Sequence, residues 1–141
     1  MKRKLLKAKS SIGAIADKAQ EPNWDKETVV LSLKYFQHDK ECFSNWRKQE
    51  LSKFWDFNRR LHQMTWQDVF ATASKGAQKR GVAYTVIPRC KYKGVAFIRD
   101  MSNDITMFEL RVDGVMRVHG FREKQLFHLC LLDRSHSICS D

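Results

Sequence analysis

The sequence predicts an α+β domain in which two helices pack on one face of an antiparallel sheet, the elements running β-α-α-β-β-β-β. Three observations lead there. Residues 105–132 hold three alternating apolar runs separated by short polar turns. Residues 43–62 repeat apolar side chains at three- and four-residue intervals. Thr65-Trp66-Gln67-Asp68 has the spacing of a helix cap ahead of Val69 and Phe70.

At 141 residues the chain is long enough for one domain, and 43% hydrophobic residues, with 11% aromatics, supply a core. This composition excludes a disordered chain. No apolar run approaches the length of a membrane span. The only apolar stretch near the N-terminus, Ile12 to Ala16, is cut off by Asp17, so no secretory signal is read and a cytoplasmic protein is expected. Cys42, Cys90, Cys130 and Cys139 form no CxxC pair, which suits reduced thiols. His38 with Cys42, and His136 with Cys139, have spacings that zinc accepts. Such pairs arise often by chance, and neither a metal nor a cofactor is expected.

In chain order, residues 1–25 read as a flexible basic arm: Lys2, Arg3, Lys4, Lys7, Lys9 and Lys18 face only Asp17 before residue 21. Residues 26–141 then form the single domain. Thr28–Phe36 is rich in β-formers and reads as a strand. A helix capped by Ser44 and running to about His62 carries Phe43, Trp46, Leu51, Phe54, Trp55, Asn58 and Leu61 at helical spacing, and should set Trp46, Phe54 and Leu61 against the sheet. The helix capped by Thr65 should end near Ser74–Gly76. Tyr84–Ile87 reads as a strand that Pro88 confines to an edge. The meander strands are Ile105–Val112, Val115–Arg122 and Gln125–Leu132.

Keeping apolar residues on one face fixes the register of this meander. Val112 should pair with Met116, Leu110 with Val118 and Phe108 with Gly120, across a three-residue connection at 113–115. A two-residue turn should then pair Gly120 with Phe127, Val118 with Leu129 and Met116 with Leu131. The opposite face would carry Glu109, His119 and His128 in one row, with Arg111 beside Arg117 in the next. A carboxylate and two imidazoles are an acid/base set. Two adjacent arginines call for an anion between them, and phosphate fits. Glu109, His119, His128 and Arg117 are therefore the expected catalytic group for breaking an RNA phosphodiester without metal. An ordinary wet sheet face is the competing reading of the same residues.

The charge points the same way. Lys and Arg total 26 against 16 acids, a net charge of +10, which suits a phosphate backbone. Residues 74–93 carry Lys75, Lys79, Arg80, Arg89, Lys91 and Lys93 with no acid, and Tyr84 and Tyr92 are interleaved. With Arg111, Arg122, Arg134 and His136 they make up the expected RNA-contacting set.

The stretches Phe108-Glu109-Leu110-Arg111, Met116-Arg117-Val118-His119-Gly120-Phe121-Arg122 and Phe127 to His136 resemble the closing meander of the RelE/ParE toxin superfamily. The resemblance covers residues 28–139 and lies mostly in the order of elements. It implies a half-barrel sheet backed by two helices, and an acidic antitoxin protein as partner. It also implies ribosome-dependent mRNA cleavage in the RelE branch, or gyrase poisoning in the ParE branch. Arg111 and Arg117 fall on the family's phosphate-binding arginines, and His136 on its C-terminal basic turn. Many ribonuclease members end with a tyrosine after the last strand, where this chain has Ile138-Cys139-Ser140. The expected function is thus an RNA-binding, toxin-like protein that cleaves mRNA on or with the ribosome. The alternatives are a non-catalytic nucleic-acid-binding or inhibitor protein of phage or plasmid origin, and a gyrase-binding toxin.

Overall fold

The structure, a computed structural model, describes residues 22–73 and 81–138. Most of the expected arm, the expected end of the second helix near 74–76, Lys75, Lys79, Arg80 and Cys139 lie outside the described residues. The domain is α+β. Strand β1 (Val30–Ser32) leads through a 3₁₀ turn at Phe43–Asn45 to helix α1 (Lys48–Leu61) and helix α2 (Trp66–Ala71). Then come β2 (Thr85–Val86), a 3₁₀ turn at Arg89–Lys91 and the single-turn helix α3 (Ala96–Arg99). The meander β3 (Phe108–Asp113), β4 (Met116–Glu123) and β5 (Leu126–Asp133) closes the fold.

The five strands form one sheet in the order β1-β5-β4-β3-β2. The sheet is mixed, because β1 runs parallel to β5. The expected all-antiparallel sheet is corrected here: alternation marks a strand but does not name its partner, and β1 pairs with the end of the chain. Strand β2, stopped by Pro88, sits at the edge as expected.

Local sequence explains where the helices begin. Thr65 Oγ1 accepts from the Asp68 amide at 3.1 Å and Asp68 Oδ2 accepts from the Thr65 amide at 2.9 Å, closing the expected capping box of α2. Helix α1 starts later than Ser44. Residues 43–45 make their own turn, and the Arg47 amide donates to Glu50 Oε1 at 2.8 Å at the true N-terminus. Its inward stripe runs through Phe54, Phe57 and Leu61, whereas Leu51 and Trp55, which share its helical spacing, are exposed, Trp55 by 57%.

Phe108, Leu110, Val112, Met116, Val118, Phe127 and Leu129 pack against Trp46, Phe57, Leu61, Trp66 and Val69. The other face of the sheet is covered too. Met107, Phe121, Cys130 and Leu131 pack under Tyr92, Val95 and Ile98, from the segment that ends in α3. This third layer replaces the expected wet face, and it rests on one-turn elements too short to leave a periodic signature.

Two irregularities set the register. The first hairpin keeps Glu109 opposite His119 and Arg111 opposite Arg117, as expected, but Val112 bulges out so that Asp113 meets Met116. The second hairpin pairs Glu123 with Leu126 and Gly120 with Leu129, two residues away from the expected register. Between Gly120 and His119 the pairing steps again, leaving Cys130 as the extra residue. Beyond that bulge the faces exchange. Leu131, expected in the helix-facing core beside Met116, joins the opposite layer, and Leu132 takes its place. Gly120 is what permits the bulge, since a Cβ there would lie 2.0 Å from the His128 carbonyl oxygen.

Candidate functional site

The register of the second hairpin breaks the expected row: Glu109 stays opposite His119, but His128 does not. His119 sits opposite Leu131 and His128 opposite Phe121, so the two imidazoles are not neighbours. His119 is 0% exposed. Its Nδ1 lies 2.9 Å from the Tyr92 hydroxyl and its Nε2 3.1 Å from Asp133 Oδ2. Asp133 also accepts from the amides of Ser137 at 2.8 Å and Ile138 at 3.2 Å. Burial pushes the Asp133 carboxyl up, but these hydrogen bonds, led by that of His119, outweigh it and hold the pKa below its ordinary value. Tyr92, His119 and Asp133 thus form one buried chain that ties the covering layer and the C-terminal turn to β4.

His128 is 1% exposed and has a similar part to play. Its Nδ1 lies 2.9 Å from Ser32 Oγ and its Nε2 2.8 Å from Glu123 Oε1, so the ring fastens β1 to β5. Hydrogen bonding to this imidazole is the main reason the Glu123 carboxyl titrates below its usual range. Both rings have both nitrogens engaged and no solvent-facing edge. In this structure they hold layers together. The expected catalytic histidines are thus both buried and hydrogen-bonded within the fold, and they do not stand side by side.

A different set does converge. Arg111 and Arg117 face each other across β3 and β4, with Glu109 one pleat away on the same face. Arg117 Nε lies 3.6 Å from Glu109 Oε2, and Arg117 donates to the carbonyls of Gly114 at 2.7 Å and Met116 at 3.3 Å. Burial lowers the Arg117 pKa; Glu109 opposes that and the Arg111 charge adds to it. His136, in the left-handed region at φ 56°, brings its Nε2 to 3.3 Å from Glu109 Oε1. The approach is close enough for an ion pair, yet the angle completes no hydrogen bond, and Oε1 is buried without one. The side chains of Glu109, Arg117 and His136 are 9%, 15% and 34% exposed, so the cluster opens to solvent at the His136 end. Glu109 Oε1, buried beside Arg117 and His136, keeps the capacity to accept a hydrogen bond from a water or a ligand.

Arg60 extends this corner from the helix side. Its guanidinium donates to the Val112 carbonyl at 3.2 Å, and Arg111 donates to the Gly81 carbonyl at 3.2 Å. The two line a shallow pocket of about 390 Å³ with Asp113 and Gly114. Asp113 is paired with Lys53 at 3.0 Å. Arg60 carries no signal in the sequence, because nothing local says that α1 ends beside the β3–β4 turn. Asp133 had one: an acid closing an otherwise apolar strand.

The remaining expected contacts scatter. Arg89 donates to the carbonyls of Met101, Ser102 and Ile105 at 2.8, 2.6 and 3.1 Å, which spends its fork on the 101–105 loop. Arg134 bonds the Asn45 carbonyl and lies 3.4 Å from Glu50, joining the C-terminal turn to the start of α1. Arg122 pairs with Asp25 at 2.8 Å, donates to the Lys124 carbonyl at 2.7 Å and lies over the Trp66 ring. These three arginines tie parts of the described fold together. Lys91 and Lys93 are exposed on the covering layer, and Lys75, Lys79 and Arg80 lie outside the described residues. Among the described residues no group of three metal-ligating side chains comes together, and no helix is long and apolar enough to cross a membrane.

The chain matches no protein-family model, no curated protein and no solved structure.

Proposed function

We propose that this protein binds RNA, seating a backbone phosphate at the corner formed by Arg60, Arg111 and Arg117. One observation carries the reading: Arg111 stands directly opposite Arg117, and Glu109, the carboxylate that pairs with Arg117, is shared with His136. Like charges opposite one another on a sheet are unfavourable, and a bound anion relieves them. The net charge of +10 makes a polyanion the natural source of that anion.

Cleavage is the second reading, favoured by the orphaned Glu109 Oε1. With a phosphodiester on the arginines, Glu109 would take the 2′-OH proton, the guanidiniums would stabilise the phosphorane, and His136 would protonate the leaving 5′ oxygen. The acid/base work expected of His119 and His128 moves in this reading to Glu109 and His136. It agrees with the resemblance to the RelE branch, where action on the ribosome and an acidic antitoxin would follow.

Both readings are tested with the full chain. Fluorescence anisotropy against single-stranded RNA across a salt series should give a steep negative slope, and Arg111→Ala or Arg60→Ala should each flatten it by about one. Absence of binding, or binding that ignores salt, removes the proposal. RNA ends mapped in expressing cells, for wild type and Glu109→Gln, decide between cleavage and binding alone.

A further inference from the structure

At the end of the sheet remote from the arginine corner, β3 stops pairing at Phe108 while β4 continues to Glu123. The chain before β3 turns away instead, and the Met107 carbonyl accepts from the Ile87 amide at 3.1 Å. The gap left between these elements is a cleft of about 760 Å³, within the range of sites that hold small planar ligands.

Its walls are two separate sets of touching rings. On the helix side Tyr84 lies 5.1 Å from Phe70 and 4.8 Å from Phe108. On the other side Tyr35 lies 6.1 Å from Phe97 and 5.5 Å from Phe121. The first set belongs to the helix-facing core and the second to the covering layer, so the cleft is the place where the two cores open towards each other. Arg122 closes it from β4, its guanidinium 5.5 Å from the Phe70 ring and held by Asp25. Asp104 and Glu123 add carboxylates to the lining.

We infer that this cleft receives an unstacked base of a single-stranded RNA, held between the two aromatic walls. The inference rests on the RNA-binding reading above and deepens it. Rings on both sides supply stacking surfaces that every base can use, and a guanidinium stacks in the same way. The carboxylates can accept from the amino and imino groups of a base edge. Arg122, held by Asp25 and the Lys124 carbonyl, and Glu123, bonded to His128, keep charged groups in the lining that a purely apolar ligand would not match. Phe108 is three residues from Arg111, about 10 Å along the strand. A chain with a phosphate on the arginines therefore has neighbouring nucleotides within reach of the cleft.

The test uses the full chain and a short single-stranded RNA carrying 2-aminopurine, whose fluorescence is quenched by stacking. Wild type should quench it, and should bind the base-containing RNA about tenfold more tightly than one with abasic sites. Phe97→Leu, which removes a wall, and Ser102→Trp, which fills the cleft from its exposed rim without touching either core, should both abolish quenching and the tenfold preference. The salt slope should stay unchanged. Salt-dependent binding by wild type with no quenching and no preference for bases overturns the cleft assignment while leaving the arginine corner intact. Quenching that survives in a folded Ser102→Trp variant also overturns it. If wild type binds neither RNA at any salt concentration, the RNA-binding reading fails and the cleft assignment falls with it.

Discussion

Replacing His119 with alanine separates a structural imidazole from a catalytic one. The side chain has no solvent exposure and bridges the Tyr92 hydroxyl and Asp133 Oδ2. Its removal takes a partner from a buried carboxylate, a loss worth about 1–3 kcal/mol. It also leaves a ring-sized cavity beside Tyr92 and Leu131, for which large-to-small changes suggest about 2 kcal/mol. The sum, about 3–5 kcal/mol, is a large part of the roughly 5–15 kcal/mol that holds a domain together. Urea unfolding followed by tryptophan fluorescence reads this directly. With a slope of about 2 kcal/mol per M, the midpoint should fall by about 1.5–2.5 M. RNA affinity, measured where the variant is still folded, should not change. A midpoint shift worth less than about 0.5 kcal/mol, accompanied by lost RNA cleavage, would show that the ring faces a substrate and that the buried chain is wrongly drawn.

Three more outcomes follow from the same geometry. Gly120→Ala should destabilise by about 3 kcal/mol or more, because the added carbon meets backbone at His128 and cannot be accommodated by a side-chain shift; a melting curve matching wild type would disprove the bulge. Arg89→Ala should lower stability by about 1–3 kcal/mol by stripping three carbonyls of their donor, yet leave the salt dependence of RNA binding unchanged; a slope reduced by one would return Arg89 to the phosphate-contacting set. Asp133 has a folded-state pKa below its unfolded value of about 3.9, so its contribution is complete above that value and drains away as pH falls towards the folded pKa. Asp133→Asn should therefore be less stable than wild type at neutral pH and show a shallower loss below about pH 4, and parallel acid limbs would contradict the assignment.

What was legible in the sequence was mostly local or tied to one turn. Thr65 and Asp68 announce their capping box because both halves lie within one helical turn. The Arg111–Arg117 and Glu109–His119 pairs could be placed because a single hairpin and one apolar face fix them. The second hairpin escaped because Glu123, Lys124 and Gln125 suit either of two turns one position apart, which differ by two residues in pairing, and both keep Leu129 inward. The Cys130 bulge then moved Leu131, and no composition rule marks a bulge beyond the glycine opposite it. The covering layer was hidden for a different reason. Tyr92 lies within a stretch whose charge suggested an open surface, whereas its lysines stay outside and its ring turns inward to His119. His136 was read correctly as part of the basic C-terminal turn, but only folding could show that Glu109 is its neighbour.

The extra residue at Cys130 also governs how this domain can come apart. Leu129 and Leu132 serve the layer beneath the helices, and Cys130 and Leu131, lying between them in the chain, serve the opposite layer. Releasing β5 strips both sides together and frees β1 as well. A sheet with two covers would ordinarily allow one to open as a separate low-energy excursion, a partial unfolding step of its own. Here the alternation along four consecutive residues welds the covers into one cooperative unit, so the amides of β5 should exchange with solvent only at the rate of global unfolding.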